Sequence, residues 1–203
     1  NIPDRRMIIY HNITPSHYFE LVKPDLAAFL KKGRRELLEL APVTDLALGV
    51  SEYNRRELEE AGFQKTGVLP LTVDWSGMDG KPKKRLLRKY RDKGEILLFV
   101  GRLVPNKKID DLLKTFYYFK LIKPDSRLIL VGKYLDTPVY FDYLQNIVHE
   151  LALPDVVFAG HTTHAELLAY YRLASVYLCQ SEHEGFCLPL MEAMHFGTPV
   201  MAY

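Results

Sequence analysis

Apolar residues along this chain alternate between two textures, short continuous runs and longer stretches with helical spacing. The runs at 6–11 (Arg-Met-Ile-Ile-Tyr-His) and 45–50 read as buried strands, and 68–71 as a third short strand. Between them, 25–40 sets Leu26, Phe29, Leu30, Leu37 and Leu38 at helical spacing before a break at Pro42. Ser51 is placed to cap a helix over 52–62, which has acidic residues in its first turn. From residue 95 a second series begins. Strands are predicted at 95–101, 127–132, 156–160 and 175–179, with a fifth starting at Thr198. Helices are predicted from the stripe Ile109, Leu112, Leu113, Phe116 and Phe119, and at 140–151 and 165–173. Strands that alternate with helices imply parallel pairing with right-handed crossovers, hence an α/β class with doubly wound sheets.

Between the two series the texture changes. Gly77, Gly80 and Pro82 interrupt the pattern, and 81–93 carries eight basic residues against Asp92 alone. A linker followed by a solvated helix is expected here, anchored by Leu86, Leu87 and Tyr90. Such a run can meet phosphates or an anionic membrane, and it can equally be a charged outer face. The boundaries drawn are therefore a first domain over 1–72, a linker with its basic helix over 73–94, and a second domain over 95–203. The chain opens at Asn1 without Met and stops at Tyr203 inside a strand-like run, so it reads as a piece of a larger protein, with the first domain incomplete and the second truncated.

Composition narrows the classes. At 203 residues, with 48% hydrophobic and 12% aromatic side chains, the chain can bury a core, which excludes global disorder. A net charge of +2 gives no reason to expect nucleic acid. No apolar run is long enough to span a bilayer, and no signal peptide opens the chain. Cys179 and Cys187 are the two cysteines and lack a partnering His pattern, which argues against a disulfide framework or zinc site and for a reducing, cytoplasmic setting.

The densest chemistry lies in Glu184-Gly-Phe-Cys-Leu-Pro-Leu-Met-Glu192 and the following Ala-Met-His-Phe-Gly-Thr-Pro-Val. It follows the strand-like 176–179 and has Pro189 where a first helical turn tolerates a missing N–H, with Gly197 placed to end the helix. A helix start at the mouth of a parallel sheet favours an anion such as a diphosphate. Two carboxylates, one on the loop and one on the helix, could then hold a sugar and a ribose; a capped helix with two solvated glutamates fits the same residues. The turn Gly101-Arg102-Leu103-Val104-Pro105-Asn106-Lys107-Lys108 sets two cations, Arg102 and Lys107, beyond the end of another strand. Lys108 is expected to face solvent. No Asp-x-Asp, Gly-x-Gly-x-x-Gly or Walker pattern occurs.

These two motifs resemble the E-x7-E and G-R-x4-K signatures of retaining GT-B-fold glycosyltransferases, the large family that includes glycogen synthases and bacterial mannosyl- and glucosyltransferases. Cys187 stands where the family usually has Gly, and His195 where it has Ala. The resemblance covers essentially the whole chain and implies two Rossmann-like domains and transfer of a hexose from a nucleoside-diphosphate sugar to a hydroxyl of a glycan or lipid-linked acceptor. In the roles it implies, Glu184 orients the donor sugar, and His11, after the first strand, contacts that sugar. Arg102, Lys107 and the backbone at Phe186, Cys187 and Leu188 hold the donor diphosphate, and Glu192 binds the ribose. It implies no metal and no cofactor beyond the donor, no nucleic-acid partner, and a cytoplasmic enzyme for which attachment at the inner membrane face stays open. A nucleotide-sugar 2-epimerase of the same fold, or a non-catalytic nucleotide-sugar-binding fragment, are the alternatives. Donor base, acceptor and linkage are not legible in the residues.

Overall fold

The computed structural model describes residues 4–203; the first three residues of the 1–72 domain lie outside the described residues. The chain divides into two compact units, one reaching Val73 and including His183–Cys187, the other comprising Asp74–Glu182 and Leu188–Tyr203.

The first unit is built on a parallel three-stranded sheet, in the order β1 (Met7–Tyr10), β2 (Leu46–Gly49), β3 (Thr66–Val68). Two helices connect the strands, α1 (Pro24–Leu40) and α2 (Glu52–Glu60). Pro24 takes the first position of α1, where its lack of an N–H costs nothing. Ser51 caps α2 as expected, its Oγ accepting from the Asn54 N–H at 3.2 Å. The core gathers Tyr10, Leu37, Ala41, Ala47, Leu58 and Phe63.

Two expectations are corrected here. The third strand lies at Thr66–Val68 rather than 68–71. Gly49 packs so closely on α2 that a Cβ would sit 2.6 Å from the Arg55 nitrogen; β2 ends there, paired with Val68, and its last ladder hydrogen bond is taken from the Leu69 N–H at 2.9 Å. Pro70 could not have extended the ladder in any case. On α1 the buried residues are Ala27 and Leu37, while Phe29 and Leu38 from the predicted stripe are exposed.

The second unit contains a five-stranded parallel sheet. In chain order its elements are α3 (Lys84–Tyr90), β4 (Ile96–Val100), α4 (Ile109–Ile122), β5 (Arg127–Val131), α5 (Pro138–Glu150), β6 (Val156–Gly160), α6 (His164–Leu173), β7 (Val176–Cys179), α7 (Leu188–His195) and β8 (Val200–Ala202). The strand order is β6-β5-β4-β7-β8. β4 and β5 are buried almost throughout, which explains their uninterrupted apolar sequences. α3 buries Tyr90 and half-buries Leu86 and Leu87, leaving the eight basic residues of 81–93 exposed. Among the described residues none of those eight joins an ion pair.

The stretch before α3 is more firmly held than a linker need be. The Gly77 carbonyl lies 2.8 Å from His164 Nε2, Arg172 donates to the Gly80 carbonyl at 3.2 Å, and the Lys83 N–H donates to the Ala165 carbonyl at 2.7 Å. The Trp75 ring stacks on that of His195 at 4.9 Å and 3°.

Candidate active site

Strand order reverses between β4 and β7: β5 and β6 extend the sheet on one side of β4, β7 and β8 on the other. Loops leaving the carboxyl ends of such a strand pair diverge, and the crevice between them is where open α/β sheets take ligands. The loops after β4 and β7 are joined by the Glu182 N–H donating to the Asn106 carbonyl at 3.0 Å.

The loop after β4 carries Arg102 and Lys107. Its entry depends on Gly132 at the end of β5, where a Cβ would lie 1.8 Å from the Gly101 carbonyl oxygen and where φ is +147°. The Leu103 N–H then donates to the Lys133 carbonyl at 2.9 Å, and its carbonyl accepts from Thr137 Oγ1 at 3.1 Å. Leu103 and Val104 are buried while Arg102 is exposed and 3.4 Å from Asp136. A 3₁₀ turn over Pro105–Lys107 leads to Lys108, whose left-handed backbone (φ 50°) starts α4.

Lys108 does not face solvent as expected. Its ammonium lies 2.9 Å from Asp111, 3.6 Å from Asp110 and 4.0 Å from Glu182. The hydrogen bond to Asp111 holds the Lys108 pKa above its usual value; that of Asp111 is lowered, first by its bond to Lys114. The first turn of α4 is closed by the Tyr140 hydroxyl, which accepts from the N–H groups of Ile109 (3.1 Å) and Asp110 (3.4 Å) and donates to Asp110 Oδ1 at 2.9 Å. Burial, then the Asp110 charge, pushes this phenol far above the ordinary tyrosine range.

Leu188 opens α7, and Pro189 falls in its first turn as the sequence predicts. The helix ends with the Gly197 N–H donating to the Met194 carbonyl at 2.9 Å, with Gly197 at φ +69°. Glu192 is half-buried on α7 and accepts a 2.5 Å hydrogen bond from the Tyr171 hydroxyl on α6.

The remaining candidates belong to the first unit. His11 follows β1 and is exposed. Its carbonyl lies against Gly185, where a Cβ would approach to 2.5 Å. Asn12, at φ 97°, donates to Asn54 Oδ1 at 2.7 Å and lies 3.5 Å from the Glu184 carbonyl oxygen. Asn54 is itself fully buried and donates to the Tyr10 carbonyl at 3.4 Å. Buried His183 meets the Tyr53 ring edge-on at 6.0 Å. Thus the loop bearing Glu184 lies on the backbone of the His11–Asn12 turn. Cys187, in the Gly position of the motif, has φ 60°, a conformation that costs a side-chain-bearing residue about 1 kcal/mol or more.

The first unit therefore holds His11, Glu184, Phe186 and Cys187, and the second holds Arg102, Lys107, Leu188 and Glu192. Three residues at these positions went unmarked in the sequence: Asn12, Asn54 and Tyr171. Asn12 alone left a signal, an Asn in the polar turn that follows a strand, where left-handed backbone favours it.

The profile of the family described as glycosyl transferases group 1 matches residues 82–203, and the chain belongs to that family. A GDP-mannose-dependent alpha-mannosyltransferase of Mycolicibacterium smegmatis is 31% identical over 147 residues, 70% of this chain and 32% of that protein. A D-inositol 3-phosphate glycosyltransferase of Kineococcus radiotolerans is 31% identical over 182 residues, 84% of this chain and 41% of that protein. Among solved structures, Anabaena HepE in complex with UDP and glucose matches with a TM-score of 0.77 at 20% identity, over 98% of this chain and 52% of that one. The fold is that of GT-B glycosyltransferases. The chain spans less than half the length of these two relatives and about half of the HepE chain.

Proposed function

We propose that this chain is the donor-binding part of a retaining hexosyltransferase that takes a sugar from a nucleoside diphosphate and passes it to a hydroxyl of a glycan or lipid-linked acceptor. The observation that carries this reading is the reversal of strand order in the second unit, where the loop after β4 bears Arg102 and Lys107 and β7 is followed in that unit by α7 with Glu192. In the reaction the bond from the anomeric carbon to the diphosphate oxygen breaks as negative charge collects on the leaving phosphate. Arg102, Lys107 and backbone N–H groups at Phe186–Leu188 stabilise that charge. Glu184 and His11 orient the sugar, and Glu192 takes the ribose. The acceptor oxygen attacks the face the phosphate leaves and gives it its proton, so configuration is retained without a second carboxylate.

Relatives that use GDP-mannose and a neighbour that holds UDP support a nucleoside-diphosphate donor and leave its base open. Cations and amides can neutralise a diphosphate, so no metal is assigned. The eight exposed cations of 81–93 support a cytoplasmic enzyme that rests on an anionic membrane face. Flotation with phosphatidylglycerol vesicles, against neutral ones, tests that part.

The test of the transfer itself is Glu184→Ala in the full-length protein. Turnover should fall at least about 100-fold with folding unchanged. Wild-type rates would sink the assignment, and donor converted to a 2-epimer without acceptor would replace transfer with epimerisation.

A further inference from the structure

The motif assigns Glu192 its place but says nothing of how its carboxylate is aimed. A glutamate on a helix surface has three side-chain torsions and loses rotamer freedom when a ligand fixes it. Here the carboxylate is already fixed. Tyr171 projects from α6, has no exposed surface, and brings its hydroxyl to 2.5 Å from Glu192 Oε2. Its 3.4 Å approach to the Pro189 carbonyl is the weaker of its two contacts on α7. The ring stacks on Phe196 at 5.4 Å and 9°, and the Tyr171 carbonyl accepts from Thr198 Oγ1 at 3.3 Å. The phenol is thus held from both ends of the α7 segment. Among the described residues no other side chain hydrogen-bonds the Glu192 carboxylate, which leaves Oε1 for a second donor.

We propose that Tyr171 is a positioning residue for the donor's ribose, setting Glu192 so that one carboxylate oxygen is engaged by the phenol and the other meets the 2′,3′-diol. This rests on the ribose role proposed above for Glu192. The phenol's single proton is committed to Oε2, so Tyr171 acts on the ligand only through Glu192. Removing the hydroxyl releases the carboxylate to other rotamers while the ring, with its stacking on Phe196, stays.

The test is calorimetry on the full-length protein with UDP and GDP, each beside its 2′,3′-dideoxy analogue. Tyr171→Phe should weaken binding of the preferred diphosphate by about 10-fold, the scale of a lost hydrogen bond to a charged group. It should leave binding of the dideoxy analogue unchanged. Glu192→Ala should show the same diol-dependent loss, and the double variant should lose no more than Glu192→Ala alone. Glu192→Asp, which withdraws the carboxylate from the phenol and leaves the packing in place, should also lose the diol preference, and it carries the test if Tyr171→Phe does not fold. Equal weakening of the natural and dideoxy ligands by Tyr171→Phe would mean a structural role and overturn the proposal. Full diol preference in Tyr171→Phe with its loss in Glu192→Ala would overturn it too, while leaving the ribose role intact. If Glu192→Ala itself keeps the diol preference, the ribose role fails, and the positioning role with it.

Discussion

Lys107 and Lys108 are adjacent cations with opposite expected roles, and replacing each with Met separates them. Lys108 faces Asp111 at 2.9 Å, Asp110 at 3.6 Å and Glu182 at 4.0 Å, with its side chain 26% exposed. Each pair is worth about 4 kcal/mol gross at 4 Å and an effective dielectric of 20. Desolvation and side-chain ordering reduce a typical pair to about 0.2–1 kcal/mol. Asp110 keeps its Tyr140 bond and both aspartates keep Lys114, so the loss lies between one pair and three. Lys108→Met should thus cost about 1–2 kcal/mol. Urea unfolding followed by the single tryptophan, Trp75, reads this directly, because Trp75 lies in the same unit. The Lys108 pKa is raised, so its contribution is present at neutral pH and is lost as pH rises above about 10.5. Asp111 is lowered, so its share is lost as pH falls below about 4. Lys107→Met, in contrast, should weaken nucleoside diphosphate by roughly 10- to 100-fold. Calorimetry that finds the larger loss of affinity in Lys108→Met would refute both roles.

Gly132→Ala should destabilise the second unit by about 3 kcal/mol or more, because the new methyl meets backbone and the φ of +147° disfavours it; a near-neutral change in urea midpoint would show that the loop relaxes freely. Tyr140→Phe should cost about 2–4 kcal/mol at neutral pH, since buried N–H groups of α4 lose their acceptor. Because the folded phenol titrates above its unfolded value near 10, the wild type should lose about 1.4 kcal/mol per pH unit more steeply than this variant above pH 10, and parallel stability curves would contradict that. Chelator should leave sugar transfer by the full-length protein largely intact; complete loss restored by Mg2+ or Mn2+ would overturn the cationic, metal-free reading of the diphosphate site.

How much of this was legible in the sequence follows from what each feature depends on. The second sheet was read closely because β4 and β5 are buried on both faces, and a continuous apolar run leaves little freedom in where the strand lies. Ser51, Pro189 and Gly197 were legible because caps and breakers act on their own few residues. The third strand shifted because its limits are set by its partner: β2 ends where Gly49 meets α2, a tertiary contact with no local sequence mark. The exposure of Phe29 and Leu38 has the same origin, since spacing gives a helical period but not which part of the apolar arc finds a neighbour.

At the candidate site, the motif spacing identified charged groups and missed the residues that hold them. Glu184, Arg102, Lys107 and Glu192 stand out because charge near a glycine-rich turn is unusual. Asn12 and Tyr171 are ordinary residues in sequence, 172 and 21 positions from the groups they touch. Lys108 shows the converse. Its charge suggested solvent, yet three carboxylates from α4 and the loop after β7 converge on it, and only folding brings Glu182 there. A cation that neutralises carboxylates is unavailable to a phosphate, whatever its place in a motif. Lys108, held by these three carboxylates, is therefore not the lysine proposed to meet the donor.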